Sequence, residues 1–528
     1  MTAPVSALPD LASGVDIGRD PRTGAAHPAV AHTPSEEVAR LVAAAADAAS
    51  GVGSAPPDTR GRWLRAIASS LEEHADELVL LADAETALGE GRLSGELAKT
   101  AASLRFYAEV AADGAYLRVT LDASSATDAA PALDLRRMRL PVGPVAVFGA
   151  SNFPFGFGVL GHDTASAIAA GCPVVVKAHP AHPRLSVRLG QIATASLAEA
   201  GAPPGVFALV TGFDAGLALV DAAPIAAVAF TGSQAGGMAL VQRAALRANP
   251  IPVFAEMGTV NPVVVTLTAA QTRLEEVARG FAPSFTLGTG QFCTKPGLLI
   301  TPAGSGAAHL VAAAVRELPS GWVLTESIAT AYRQGRAALS AAGATVFGEG
   351  NSPAAGFAAV PTVFTAQAGD LTKGSALLEE CFGPAAVVIE YSSHQGLREL
   401  LGRLQPCLAA TIASGGSDDA DLAWLVPLLA ARAGRVVVNG WPTGVATTWA
   451  QQHGGPWPAT SRPDATSVGA AALDRFTRPV AFQGVPAEVL PAALQSGNPW
   501  SVPRRVNGRP QPAGHQTAGR PRAQTGWS

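Results

Sequence analysis

Residues 141–177 read PVGPVAVFGASNFPFGFGVLGHDTASAIAAGCPVVVK. Two β-branched runs, Val145–Phe148 and Val174–Lys177, enclose a Gly/Asn/Pro turn and a small-residue helical stretch through Ala170. Strand, turn, helix and second strand form the unit of a parallel sheet, because parallel neighbours need a long crossover. The series continues with a helix from about Arg184 to Ala200 and strand candidates Val206–Thr211 and Ile225–Phe230. A second series runs from Val263 to Asn439 through Leu298–Thr301, Ala385–Ile389, Leu408–Ile412 and Arg435–Asn439. This alternation predicts an α/β fold with two doubly wound domains side by side and a cleft between them.

Upstream, about the first 30 residues are rich in Gly, Pro and Ala and read as an extended arm. Thr33 can cap the first helix, with Pro34 at its first position and Glu36 closing a capping box. Helical patterns run through Ala49, from Arg60 to about Leu88, and from Leu93 to about Ala112. Asp122–Pro131 is small, polar and turn-like, and the end of the chain from about Pro503 reads as a disordered tail.

The chain has 528 residues, 48% of them hydrophobic and 15% charged. That composition fills sizeable cores and suits two or three domains. Alanine carries much of the mean hydropathy of +0.24, and no uninterrupted apolar run reaches the roughly 18 residues of a membrane span. No membrane partner is expected. The net charge of −4 argues against nucleic acid, which calls for a basic face. Met1–Asp10 has no basic patch followed by an apolar stretch, so a secretory signal is not expected. The four cysteines, Cys172, Cys293, Cys381 and Cys407, are too dispersed for a CxxC-type site. No metal is expected, and a reducing cytoplasm fits.

Six short segments stand out. Gly290–Gly297 (GQFCTKPG) places Cys293 in a glycine-flanked loop, where a cysteine is either a small core residue or a nucleophile. Phe254–Pro262 (FAEMGTVNP) places Glu256 in an apolar strand-like stretch. A carboxylate there is paired, solvated, or raised in pKa as a general base requires. Gly149–Pro154 holds Asn152 in a strand-to-helix turn, either as turn chemistry or as an amide donor to an oxyanion. Phe230–Gln234 (FTGSQ) closes a strand, and Ser233 can cap a helix whose N-terminus suits phosphate. Lys177 ends a strand on the carboxyl side, where open α/β sheets bind ligands, or is a solvated lysine. Glu379–Pro384 (EECFGP) sets an acid and an aromatic before a Gly-Pro turn. No GxGxxG follows Val145–Phe148.

Taken in order, these segments resemble the aldehyde dehydrogenase superfamily over roughly residues 12–490. The stretches Asn439–Gly444 (NGWPTG), His453–Thr460 (HGGPWPAT) and Thr466–Gly469 (TSVG) are similar to its NADP-dependent α-ketoglutaric semialdehyde (2,5-dioxopentanoate) dehydrogenase branch. The resemblance implies oxidation of that aldehyde to 2-oxoglutarate through a thioester on Cys293. The Asn152 amide and the Cys293 N–H would hold the oxyanion, and Glu256 would activate water. It implies a cofactor set of Lys177, Pro180, Gly212, Gly232, Ser233, Glu380 and Phe382. Pro180 stands where NAD-using relatives carry a ribose-binding glutamate, which favours NADP while permitting NAD. His179 and His182 would add positive charge beside it.

The family's fold implies a cofactor domain (1–116 and 141–255), a catalytic domain (256–440), a return segment (441–476) and a small β oligomerisation flap (117–140 and 477–490), assembling a homodimer or homotetramer. Two departures stand out: Ser151 replaces the usual tryptophan, and AEMGTVNP replaces ELGGKxP. Arg462 is a candidate for the distal end of the substrate. The alternatives are a dehydrogenase of broad or fatty-aldehyde scope, a coenzyme-A-acylating one, which typically lacks the glutamate, and an inactive homologue.

Overall fold

The protein's computed structural model describes residues 14–125, 133–319 and 321–514. The start of the arm, 126–131 of the turn-like stretch, and 515–528 of the tail lie outside these residues.

The first sheet has five parallel strands in the order Phe207–Val210, Val174–Lys177, Val145–Phe148, Ala227–Gly232, Val253–Met257. From Val145–Phe148 the chain winds outward one way, then returns to lay Ala227–Gly232 on the other side. The order therefore reverses between Phe148 and Phe230, the place where open sheets leave a crevice at their carboxyl ends. Helices Ser35–Ser54, Pro57–Glu73, Ala75–Thr86 and Glu90–Asp113 precede this sheet in the chain. The all-buried helix His162–Ala170 packs on one of them. Its six Ala, Ser and Thr side chains are small enough for that close approach.

The second sheet has seven strands: Thr345–Glu349, Thr362–Ala366, Ala385–Tyr391, Pro296–Pro302, Asn261–Val265, Cys407–Ala413, Ala433–Val438. Six are parallel and Thr345–Glu349 is an antiparallel edge. Its central strands are continuous Val/Ile/Leu/Ala runs, as burial on both faces requires. Among the described residues no helix is long and apolar enough to cross a membrane.

A third sheet joins Thr477–Gln483, Leu133–Pro141 and Val119–Ser124 with two strands from the C-terminal region, Arg504–Val506 and Arg509–Gln511. The expectation of a disordered tail from Pro503 is therefore corrected for these residues. Arg504–Val506 runs parallel to Val119–Ser124, and the chain turns back at Asn507-Gly508, both with positive φ (47° and 76°). Asn-Gly is a strong two-residue hairpin signal, obscured here by flanks without an apolar alternation. Asn507 also accepts from Ala123 N at 2.8 Å.

Two expectations at the N-terminus are corrected as well. The pattern from Arg60 to Leu88 is two helices, because His74 leaves helical geometry with its ring 2.9 Å from the Ser70 carbonyl. The capping box at Thr33 does not form: Pro34 is the N-cap, without a side-chain bond. The Thr33 hydroxyl instead accepts from Thr211 N at 2.9 Å and fastens the arm to the first sheet.

Ending the chain after Pro503 would remove both terminal strands and Arg504, whose buried guanidinium donates to Gln495 O at 2.8 Å. The expected outcome is a lower thermal midpoint, by roughly 2–4 °C for each kcal/mol lost, with aldehyde oxidation retained. An unchanged melting curve would show that these strands add no stability.

Candidate active site

Five of the residues singled out above, Asn152, Ser233, Glu256, Cys293 and Glu380, come from two opposed sheet edges. Asn152 follows Val145–Phe148, Ser233 follows Ala227–Gly232, and Glu256 lies near the end of Val253–Met257, paired with Thr231. All three belong to the carboxyl edge of the first sheet. Cys293 and Glu380 come from the amino edge of the second, just before Pro296–Pro302 and Ala385–Tyr391.

Two side chains bind that second edge together. Asn261 Nδ2 donates to Cys293 O (2.9 Å) and Lys295 O (3.0 Å), and its Oδ1 accepts from Ala409 N (3.0 Å). Buried Lys295 donates through Nζ to the carbonyls of Cys381 (2.7 Å), Gly383 (3.1 Å) and Ala385 (2.9 Å). The nucleophile loop and the EECFGP loop are thus one rigid unit. The unusual AEMGTVNP segment supplies Asn261 for this purpose.

At the centre, His453 Nε2 lies 3.5 Å from Cys293 Sγ and 2.9 Å from Glu256 Oε1. The other Glu256 oxygen accepts a short hydrogen bond from the Ser467 hydroxyl. Glu256 and His453 are 4% and 2% exposed. Burial pushes the Glu256 carboxyl up, but His453, Ser467 and the charge of Arg475 outweigh it and hold the group below its ordinary value. Of the three readings of this acid, the structure has the paired one, and the raised pKa is not found. Arg475 is itself anchored to buried Asp163 at 2.7 Å. Sequence reasoning quoted His453 and Ser467 only as family markers. Their signal was a histidine and a hydroxyl beside glycines, HGG and TSVG, in a segment with no element of its own.

Cys293 is half-buried. Burial pushes its thiol well above the ordinary range, the nearby negative charges of Glu256 and Glu380 add to this, and Thr294 N–H pulls the other way. The resting sulfur is protonated, with a carboxylate and an imidazole at hand to take the proton.

Asn152 donates through Nδ2 to Gln291 O at 2.9 Å. A primary amide has two N–H bonds, so one locks the turn to the nucleophile loop and the other remains. The Cys293 N–H has no acceptor among the described residues. Of the two expected oxyanion donors, one is thus tied to the loop that carries Cys293 and the other belongs to it.

Cys293, Glu256 and His453 come together here, a thiol beside a paired carboxylate, which are the groups that acyl transfer calls for. The aldehyde dehydrogenase family model matches residues 18–478. The chain belongs to that family. Two relatives are α-ketoglutaric semialdehyde dehydrogenase 2 of Azospirillum brasilense, 42% identical over 90% of this chain and 91% of its own, and α-ketoglutaric semialdehyde dehydrogenase of Acinetobacter baylyi, 40% identical over 85% and 86%. Similar solved folds include methylmalonate-semialdehyde dehydrogenase of Oceanimonas doudoroffii (TM-score 0.76, 21% identity, 89% of this chain and 95% of that one). Another is an NAD+ complex of aldehyde dehydrogenase from Bacillus cereus (0.75, 21%, 89% and 93%).

In this dehydrogenase the expected cofactor residues divide into two groups. Ser233 caps helix Gln234–Ala245, accepting from Gly236 N at 3.1 Å. Gly232 O accepts from Gly258 N (3.2 Å), and Gln234 Nε2 donates to Gly258 O (2.9 Å). Glu380 lies directly against Gly258: a Cβ there would sit 1.9 Å from Glu380 Oε2. Gly232, Ser233, Gly258 and Glu380 thus form one wall, with half-buried Phe382 in the same loop. Burial pushes Glu380 up to about 7, against the pull of Lys295, and its Oε1 is buried without a partner.

Lys177, Pro180 and Gly212 lie apart, at the far side of the first sheet. The Lys177 side chain runs over helix Phe213–Asp221, close to Gly216. Gly212 is covered by the arm: its N–H donates to Asp16 (3.2 Å) and His32 packs on it. The expectation that His179 and His182 add positive charge is corrected. Burial pushes His179 well down and His182 down to about 4, so both are neutral at neutral pH. His182 is tied to Ala150 O (3.2 Å) as a structural residue. Arg462 pairs with exposed Asp464 at 3.0 Å and lines a small cavity together with Glu256, His453 and Ser467.

Because the Glu380 charge raises the Cys293 thiol, Glu380→Gln removes one cause of the upward shift. The pH profile of Cys293 alkylation by iodoacetamide should then move to lower pH, and the rate near neutrality should rise. An unmoved profile would show that Glu380 does not act on the sulfur.

Proposed function

We propose that the chain oxidises α-ketoglutaric semialdehyde to 2-oxoglutarate, with NADP preferred and NAD accepted. The observation that carries this reading is Cys293 Sγ beside the Glu256–His453 pair and the Asn152 amide, on a chain 42% identical to an α-ketoglutaric semialdehyde dehydrogenase over nine-tenths of its length.

The residues divide the work as follows. The Cys293 proton passes to the Glu256–His453 pair, and the thiolate adds to the aldehyde carbon. The second Asn152 N–H and the Cys293 N–H receive the oxyanion, one such donor being worth about 3–4 kcal/mol. A bound nicotinamide would supply the hydride acceptor for the thiohemiacetal carbon, and Cys293 would then carry the acyl group as a thioester. With that first proton released to solvent, Glu256 draws a proton from water, whose hydroxide attacks the thioester carbonyl; the departing thiolate takes this proton from Glu256, and the acid and the thiol are released. Ser467 and His453 hold the carboxylate for that step. The presence of Glu256 at this distance also argues against discharge onto coenzyme A.

For the cofactor, the unpartnered Glu380 Oε1 suits a ribose hydroxyl, and the helix N-terminus at Gly232-Ser233 suits a pyrophosphate. Phe382 would pack beside the ring. Lys177, with Pro180 in place of an acid, would accept a 2′-phosphate without repulsion. Gly212 supports this region by seating the arm. The domain division expected from the family is supported by the three sheets and their order in the chain. A homodimer or homotetramer through the third sheet, and a cytoplasmic setting that keeps four free cysteines reduced, complete the proposal.

A second reading has its own support: Phe153, Phe157 and Phe292 form an aromatic wall beside the site, with ring centroids 5.0 and 5.8 Å apart. Such a wall suits an apolar aldehyde. Steady-state kcat/KM for the oxo-acid aldehyde against hexanal, with NADP and with NAD, decides between them. A preference for hexanal rejects the first reading. With the preferred aldehyde, Glu256→Gln should lower steady turnover by about 10²–10⁴-fold while keeping a first-turnover burst of reduced cofactor. Loss of the burst together with turnover would remove Glu256 from the hydrolytic step.

A further inference from the structure

The substrate proposed above carries a charged carboxylate at the end away from its aldehyde, and a buried cation beside Cys293 should meet it. Four arginines lie near the cleft. Arg462 pairs with Asp464, and Arg475 with Asp163. Arg435 donates to the carbonyls of Pro442 and Gly444. The fourth, Arg92, is different.

Arg92 sits in helix Glu90–Asp113 and reaches across to the two loops that hold the reacting groups. Its Nη2 donates to Asn152 O at 2.7 Å. Its guanidinium packs against both Phe153 and Phe292, 5.2 and 5.0 Å from the centroids of two rings that themselves meet edge to face at 5.0 Å. These two residues directly follow Asn152 and directly precede Cys293. Nη1 is buried and donates to nothing. No carboxylate forms an ion pair with Arg92 among the described residues. Glu96, one turn along the helix, gives only through-space attraction, because its Oε1 accepts from Phe155 N (2.9 Å) and Gly156 N (3.0 Å).

A buried guanidinium N–H left without an acceptor is costly, and native structures rarely keep one without a use. The site makes specific room for this one. Residue 288 is glycine with φ +53°, and a Cβ there would fall 2.3 Å from Arg92 Nη1. The turn that leads into Gln291 and Cys293 thus adopts a left-handed conformation that leaves the cation in place.

We propose that Arg92 is a specificity-determining residue of this dehydrogenase, its Nη1 donating to the distal carboxylate of an ω-oxo acid whose aldehyde carbon is at Cys293. This rests on the oxo-acid reading above. The two phenyl rings exclude water around the cation, which strengthens the charge-assisted bond. They also pack on the methylene chain between the two ends. The aromatic wall and the acid specificity then belong to one pocket.

The test compares the unaltered dehydrogenase with Arg92→Gln and Arg92→Lys, each assayed with α-ketoglutaric semialdehyde and with pentanal, and each challenged with glutarate as a competing ligand. Arg92→Gln should lower kcat/KM for the oxo acid roughly 100-fold, mainly through KM. It should leave pentanal within about threefold and abolish inhibition by glutarate. Arg92→Lys, which keeps the charge but loses the fork, should fall between them. Equal loss for both aldehydes would make Arg92 only a clamp on the two loops and overturn the proposal. If Arg92→Gln does not fold, the same comparison in Arg92→Lys decides by the same rule. If the unaltered protein prefers the oxo acid and Arg92→Gln keeps that preference, Arg92 alone is rejected. If the unaltered protein has no such preference, the substrate reading fails and Arg92 falls with it.

Discussion

A carboxylate buried almost completely beside a thiol is the constraint around which this molecule is arranged. Glu256 would be pushed toward neutrality by its surroundings, yet its neighbours keep it ionised. Meeting that demand takes donors from a distant part of the chain. Residues 441–476 leave the second sheet, cross the cleft and place His453 and Ser467 on the two carboxylate oxygens. Thr460 pairs with Glu256 in an isolated antiparallel bridge, and Met257 N donates to Ala459 O at 2.8 Å. Arg475 then closes the segment onto Asp163 in the buried helix His162–Ala170. A stretch with little regular structure is thereby among the most tightly specified parts of the chain.

The opposed sheet edges explain why these groups meet. Strand ends at the carboxyl edge of the first sheet project Asn152, Ser233 and Glu256 into the crevice where the strand order reverses. The second sheet turns its amino edge toward them, so the loops before its strands, not after, bring Cys293 and Glu380. Loops are ordinarily the mobile part of an α/β protein. Here Asn261 and Lys295 remove that freedom by taking five distant backbone carbonyls between them, and Asn261 also accepts from Ala409 N on an adjacent strand. Precision at the sulfur is thus built from side-chain-to-backbone bonds, each lying too far apart in sequence to leave a local pattern.

That is also where legibility stopped. Alternating apolar and helical runs located both α/β series, because burial on both faces forces continuous Val/Ile/Ala strands that composition reveals. Segment order located Cys293, Glu256 and Asn152, because each stands in a glycine- or proline-marked turn. His453 was visible as a motif but not as a partner, since its 160-residue separation from Cys293 encodes nothing about distance. Arg92 was invisible: a lone arginine in an amphipathic helix looks solvated until the rings of Phe153 and Phe292 are seen against it. The strands Arg504–Val506 and Arg509–Gln511 were missed for a different reason. Their stability comes from pairing with Val119–Ser124, nearly four hundred residues away by the 384-residue separation of Asn507 from Ala123, and local composition argued the other way.

The electrostatics of the centre carry a further consequence. A thiol held well above its ordinary range is a poor nucleophile and equally a poor target for adventitious oxidation or alkylation, both of which act on the thiolate. The groups that suppress it are the ones that later use it. Glu256 raises the thiol while ionised, and in the proposed reaction it also takes part in removing that proton. Glu380, poised at about 7, can lose its charge near neutrality and with it part of its hold on the sulfur. Activation therefore needs no large movement. Protonation of Glu380 removes one of the two negative charges that raise the Cys293 thiol. Substrate chemistry and nucleophile ionisation are coupled through two carboxylates in one desolvated space, which is why the protein keeps both of them buried.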